Sequence, residues 1–187
     1  MSASVNGATL NGAGIRMEGL DAALAGLRSA AQGLADATPL YDEIGAEGAL
    51  STQRRFETET DPDGKIWPKS WRAKQDGGKT LQGRPPRLLD SITHNAGPNF
   101  AEWGSNVLYA AIHNFGGVIR AKNGKSLRFS VKGRGANRAK DVFVKSVTIP
   151  RRTFIGLNQA DVTAITRIVE AYLARITDSS GGPDAAR

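Results

Sequence analysis

The sequence predicts an α+β fold: N-terminal helices, a small antiparallel β-sheet with a long basic hairpin, and a C-terminal amphipathic helix. Three observations point there. Near the start, Leu20, Leu24, Leu27, Ala31 and Leu34 recur at helical spacing, and near the end Val162, Ile165, Val169, Tyr172, Leu173 and Ile176 do the same. Between them, residues 118–121, 127–131 and 142–149 carry the alternating or β-branched pattern of strands. Helices followed by short strands and a closing helix give an α+β arrangement with an antiparallel sheet.

Taken in order, residues 1–14 are small and polar and predict a flexible arm. A helix is expected from Ile15, weakened by Gly19, Gly26 and Gly33, so that it needs a partner surface. Thr38 followed by Pro39 reads as an N-cap with proline in the first turn, and Asp42 and Glu43 lie near the positive helix end. This second helix runs to about Phe56, with Tyr41, Ile44 and Phe56 as core contacts, and closes on a turn at Asp61-Pro62-Asp63-Gly64. Residues 68–86 are polar, broken by Gly-Gly and Pro-Pro, and predict a long loop. A helical turn is expected at 88–92, a strand at 100–105 and a short helix at 107–115. Residues 132–140 hold only Gly, Ala, Asn and basic residues and predict an exposed hairpin tip or a disordered loop. Asn158, three residues before Asp161, caps the last helix. The organisation is therefore an arm (1–14), one domain (15–177) and a frayed tail (178–187).

The chain has 187 residues and no cysteine, which removes disulfides, thiol nucleophiles and thiolate metal sites. Its two histidines, His94 and His113, are too few for a histidine-rich zinc site within one chain. No cofactor is expected. No apolar run is long enough to cross a bilayer, and the first residues lack the pattern of a secretory signal, so neither membrane insertion nor export is expected. The net charge is +7, but from Arg120 to Arg152 eleven cations face the single acid Asp141. That segment carries +10 and the remainder −3, a density suited to nucleic acid or to an acidic protein surface. Arg120, Lys122, Lys125, Arg128, Lys132, Arg134, Arg138 and Lys140 are the candidate contacts.

Catalytic motifs do not hold up. Lys125-Ser126 after Gly124 would need a glycine where Ile119 stands to form a phosphate loop, so a turn between two strands is the better account. Asp61-Pro62-Asp63-Gly64 opens like a calcium loop, but Lys65, Ile66 and Trp67 follow and the bidentate Glu is missing. His113 has no nucleophile or carboxylate placed beside it by the sequence, although Asp90 or Asp141 could approach in three dimensions. Residues 109–115 read instead as a short helix with Tyr109, Ile112 and Phe115 inward, and Gly116-Gly117 as its exit through positive φ.

Four blocks, in order from about residue 15 to 176, carry a resemblance to a known family. They are Arg54-Arg55-Phe56 with Asp61-Pro62-Asp63-Gly64-Lys65-Ile66-Trp67; Leu88-Leu89-Asp90-Ser91-Ile92; Tyr109-Ala110-Ala111-Ile112-His113-Asn114-Phe115-Gly116-Gly117; and Ile149-Pro150-Arg151-Arg152-Thr153-Phe154-Ile155-Gly156. The chain resembles the phage virion morphogenesis family, the tail-completion proteins of Mu-like and related tailed phages. It departs from the pattern where Asn114 replaces the usual Gln and Thr153 the second proline, and it lacks a glycine before the second block.

The resemblance implies a structural virion protein at the head–tail junction or upper tail, made in the host cytoplasm, without enzyme activity. Such proteins assemble as rings, often sixfold, and meet portal, connector or tail proteins and, transiently, packaged DNA. On that footing Trp67 and Trp71, expected in a loop, become interface candidates, while Tyr109, Ile112, His113, Phe115, Gly116, Gly117, Pro150, Arg152 and Phe154 become structural positions. The alternative is a basic nucleic-acid-binding protein gripping phosphate with residues 120–152.

Overall fold

Helix α1, Thr38–Thr58, is the beam on which the rest is laid. It starts where the Asp36 carboxylate accepts hydrogen bonds from the Thr38 N–H and hydroxyl, so the cap is supplied by Asp36 and not by Thr38. Pro39, lacking an N–H, fits the first turn without loss. Asp42 and Glu43 lie beyond that turn and pair sideways, with His94 and Arg175. The helix ends at Glu59, in the left-handed region at φ 56°. The computed structural model describes residues 13–17, 36–83, 87–123, 125–131 and 140–180.

One side of α1 carries a three-stranded antiparallel sheet of order β1-β3-β2, comprising β1 (Ala13–Met17), β2 (Ile92–Gly97) and β3 (Phe100–Ser105). Strands β2 and β3 form a hairpin closed by Pro98-Asn99, with Gly97 opposite Phe100. Close approach of helix and sheet depends on Gly48: a Cβ there would lie 2.4 Å from the Trp103 ring. Helix α5, Gln159–Ser180, also packs against α1. Two apolar clusters result. The C-terminal half of α1 gives Ala49 and Phe56 to a core with Trp67, Leu88, Ile92, Trp103, Ala110, Phe154 and Ile155. Its N-terminal half gives Leu40, Tyr41 and Ile44 to a second core with Ala37, Ala101 and Ile165. Each large side chain so buried contributes roughly 1.5–3 kcal/mol.

The remaining elements are short: α2 (Trp71–Asp76), α3 (Arg87–Asp90), α4 (Ala110–Phe115), β4 (Gly117–Arg120), β5 (Leu127–Val131), β6 (Lys140–Val144) and β7 (Ser146–Ile149). Strand β4 pairs with β7, and β5 with β6, so the described residues between 117 and 149 form an antiparallel ribbon of two ladders. Between the ladders one arm spends residues 121–126 while the other spends only Lys145, whose carbonyl accepts from the Ala121 N–H.

The α+β class and the closing helix are as predicted, and several local readings are corrected. Residues 15–17 belong to strand β1, whose backbone is satisfied by pairing with β3, and the expected helix beyond them lies outside the described residues. The loop at 68–86 contains α2, because Ser70 caps it by accepting from the Ala73 N–H at 3.1 Å and Gly77 ends it at φ 67°. Ile92 opens a strand where a helical turn was expected, with Thr93 and Asn95 on the outer face and His94 packed against Gly45 of α1. The turn expected near Lys125 is present between β4 and β5, with the Lys125 N–H donating to the Lys122 carbonyl at 3.2 Å, although these two strands pair with β7 and β6 and not with each other. Helix α5 continues through Ser180, past the expected start of the tail. Among the described residues, no helix is long and apolar enough to cross a membrane.

Candidate functional site

The segment that joins the ribbon to the body, residues 150–158, has no secondary structure of its own, and side chains from three directions hold it. From α4, fully buried Asn114 accepts with one carbonyl oxygen from the N–H groups of Phe154 (2.9 Å) and Ile155 (3.0 Å). From α1, Arg55 donates to the carbonyls of Phe154 (3.1 Å) and Gly156 (2.8 Å). Its other amino group reaches Ser51 and the Asp161 carboxylate, to which Ser51 also donates. From the turn after α1, the Trp67 indole donates to the Thr153 carbonyl at 3.0 Å. Asp161 accepts from the Asn158 N–H, and Asn158 accepts from the Asp161 N–H, each at 2.8 Å: the capping arrangement its spacing predicts. Burial lowers the Arg55 pKa and the Asp161 charge opposes that effect.

Arg152 is buried here too, donating through Nε to the Pro68 carbonyl at 2.7 Å while its N–H reaches the His113 carbonyl at 2.9 Å. Phe154 is fully buried against Phe56, ring centroids 5.1 Å apart. Pro150 is exposed beside them. The chain leaves α4 through Gly116 at φ 73° and Gly117 at φ 152°, as expected. A Cβ on Gly116 would lie 2.8 Å from the Arg151 backbone nitrogen, so the residue meets both a conformational and a steric demand.

The inward face expected for α4 is corrected. Ala110 and Asn114 are its buried residues, Ile112 is half-buried, and Tyr109 and Phe115 are exposed, Phe115 by 52%. The helix is rotated because Asn114 must reach the backbone of 154–155. His113 is partly buried, its ring edge-on to Tyr109, and its buried Nδ1 has no hydrogen-bond partner among the described residues. Its pKa is lowered, first by burial and then by the Arg152 charge. A histidine general base is normally oriented by a carboxylate; here the charged neighbour is a cation, Asp141 is paired with Arg128, and Asp90 is exposed on α3.

This gives a pH prediction. The unfolded histidine takes up a proton near its ordinary value of about 6.5, whereas folded His113 resists it. The unfolded chain therefore binds more protons as pH falls through that value, and stability present above it is lost below it. The melting temperature of the wild type should fall between about pH 7.5 and 5.5, and His113→Leu should flatten that part of the curve in calorimetry.

Of the candidate contact residues, Arg120, Lys122 and Lys125 are exposed on the ribbon, and Arg128 is exposed but paired with Asp141 at 2.7 Å. Lys140 opens β6, while Lys132, Arg134 and Arg138 lie outside the described residues. The tryptophans divide. Trp67 is only 3% exposed and packs edge-on against Phe56 at 5.5 Å, so it fills the core and does not serve as an interface residue; Trp71, at the start of α2, is 54% exposed. The sequence reading missed the structural roles of Asn114 and of the Arg55–Asp161 pair, although Asn114 and Arg55 stand inside quoted motifs and Asp161 in the cap of the last helix.

In β5 and β6, Leu127 faces Val144 and Phe129 faces Val142 across the ladder, while Arg128 faces Phe143. Directly opposed residues share a face, so one side of this ladder is apolar over its first two pairs, with Val131 and Lys140 the last pair in register on that side, and the other side is mixed. Phe129 is 41% exposed and Val142 38%. The two strands pack on each other, and no other described element covers them comparably. Among the described residues, no group of three or more His, Cys, Asp or Glu could hold a metal.

Comparison with known proteins returns the family suggested by the motifs. The model of the phage virion morphogenesis family matches residues 15–174. The putative capsid assembly protein G of Escherichia phage Mu is 32% identical over 138 residues, covering 68% of this chain and 71% of that protein. No solved structure matches the chain.

Proposed function

This chain belongs to the phage virion morphogenesis family, and on that premise we propose that it is a structural subunit of the head–tail junction. In this reading it completes the tail or neck, assembling with itself into a ring that helps join the tail to the DNA-filled head and contacts neighbouring portal, connector or tail proteins. The observation that carries the reading is the ribbon formed by the described residues between 117 and 149. It projects hydrophobic side chains into solvent, and an isolated two-stranded ribbon is marginal in water, so it calls for a surface outside its own body. The clamp on residues 150–158 supports the same reading, because it fixes the root of that ribbon rigidly to α1, α4 and α5. The name of the Mu relative, a capsid assembly protein, agrees with work during virion building.

A second reading, binding of packaged DNA, is favoured by the exposed row Arg120, Lys122 and Lys125. One experiment weighs both. Heads and tails are accumulated separately by a phage lacking this protein, the purified chain is added, and joined particles are counted by electron microscopy. The wild type should restore joining, and heads and tails that stay apart would overturn the connector role. Lys122→Glu with Lys125→Glu should leave joining largely intact. If the double change instead abolishes joining together with a salt-sensitive affinity for duplex DNA, the nucleic-acid reading takes its place.

A further inference from the structure

We propose that the apolar face of the β5–β6 ladder is the contact by which one copy of this chain holds the next. This rests on the ring reading above and deepens it by naming the element and its occupant. Leu127, Phe129, Val142 and Val144 line one face of a ladder, with Val131 and Lys140 as the last pair in register on that face, and the other face carries Arg128, Phe143 and Asp141. The pattern is that of a strand pair with a dry side and a wet side, yet Phe129 and Val142 on the dry side are each more than a third exposed.

The chemistry of that face selects the occupant. Phosphate gains nothing from four aliphatic and aromatic side chains, the lysine in register on that side, Lys140, stands at the end of the ladder, and Arg128 on the other side is neutralised by Asp141. A protein surface suits it, and the charge of this chain supplies a complementary one. Residues 120–152 carry +10 while the remainder sums to −3, so the basic arm of one copy is attracted to the acidic body of another. Reach fits as well. Ladders of four and five residue pairs, laid end to end, extend about 30 Å, near twice the radius of gyration of about 16 Å expected for a chain of this length. An arm of that length, with β5 and β6 packed chiefly on each other, is long enough to reach a neighbouring copy. Because arm and acceptor are different surfaces, the contact is head-to-tail, the type that closes into rings.

The test uses the full chain. Phe129→Ser combined with Val142→Thr removes the apolar face without touching either core cluster, and the mass in solution is measured by light scattering across a dilution series. The wild type should be oligomeric, and the double variant should dissociate at a concentration at least about a hundredfold higher, with an unchanged circular dichroism spectrum. An oligomer equally tight in the double variant overturns the proposal and leaves the ring reading standing. A wild type that stays monomeric at every concentration overturns the ring reading itself. A monomer that gains mass only with duplex DNA assigns the ribbon to nucleic acid, again against the proposal.

Should the double variant misfold, the absence of cysteine offers a second measurement. In the assembled protein Phe129→Cys should be shielded from a bulky thiol reagent and become reactive on dilution, whereas Arg128→Cys, on the opposite face, should react in both states. Equal reactivity of the two in the assembled form would sink the proposal.

Discussion

Replacing Asp161 with alanine is expected to destabilise the protein by about 3–5 kcal/mol, the usual effect of removing one member of a buried ion pair. Arg55 would keep its charge, 4% exposed, with Ser51, two carbonyls and the more distant charge of Asp61 left to face. The same substitution removes the acceptor for the Asn158 N–H, one half of the reciprocal cap of α5, while the backbone N–H of residue 161 keeps its bond to the Asn158 side chain. In a chain of this length the loss should lower Tm by roughly 10 °C, read by calorimetry. Arg55→Met with Asp161→Leu should cost less than either single change, because no lone charge is then buried. Additive losses in that cycle would show that the two side chains act independently and would refute the clamp.

Asn114→Ala should be nearly as damaging. One carbonyl oxygen satisfies two buried N–H groups, Phe154 and Ile155, and each left without an acceptor costs about 1–3 kcal/mol. No water-filled route replaces it, since Phe154 is fully buried and Ile155 nearly so. The loss should be local before it is global: hydrogen exchange at the amides of 154 and 155 should accelerate by at least tenfold while the amides of α1 keep their protection. Asn114→Asp, which keeps an acceptor oxygen, should preserve more of that protection than Asn114→Ala. Equal exchange in wild type and Asn114→Ala would show that the loop is held by other contacts.

What the sequence made legible follows the range of the interactions involved. Helix α5 was readable because its apolar spacing and its Asn158–Asp161 cap are both local signals. Strands β3 and β5 were readable from alternation. Strand β1 was not: its Gly14 and its Ile15 are compatible with a weak helix, and pairing with β3, some ninety residues away, decides the matter. The rotation of α4 was hidden for the same reason. Periodicity placed Tyr109 and Phe115 inside, but a single amide, Asn114, outranks two aromatic rings when it must satisfy buried backbone forty residues on. Arg55 and Asp161 were each visible, as a motif residue and as a cap, while their union across 106 positions was not.

The unequal fates of the tryptophans have a practical use. With Trp67 and Trp103 sealed in the interior and Trp71 at the surface, the intrinsic emission of the protein divides into a part that reports melting and a part that reports its surroundings. A W71F chain would shine only from within, so fluorescence change present in the wild type and missing from W71F on mixing with other virion components would mark docking at α2, apart from any loosening of the interior.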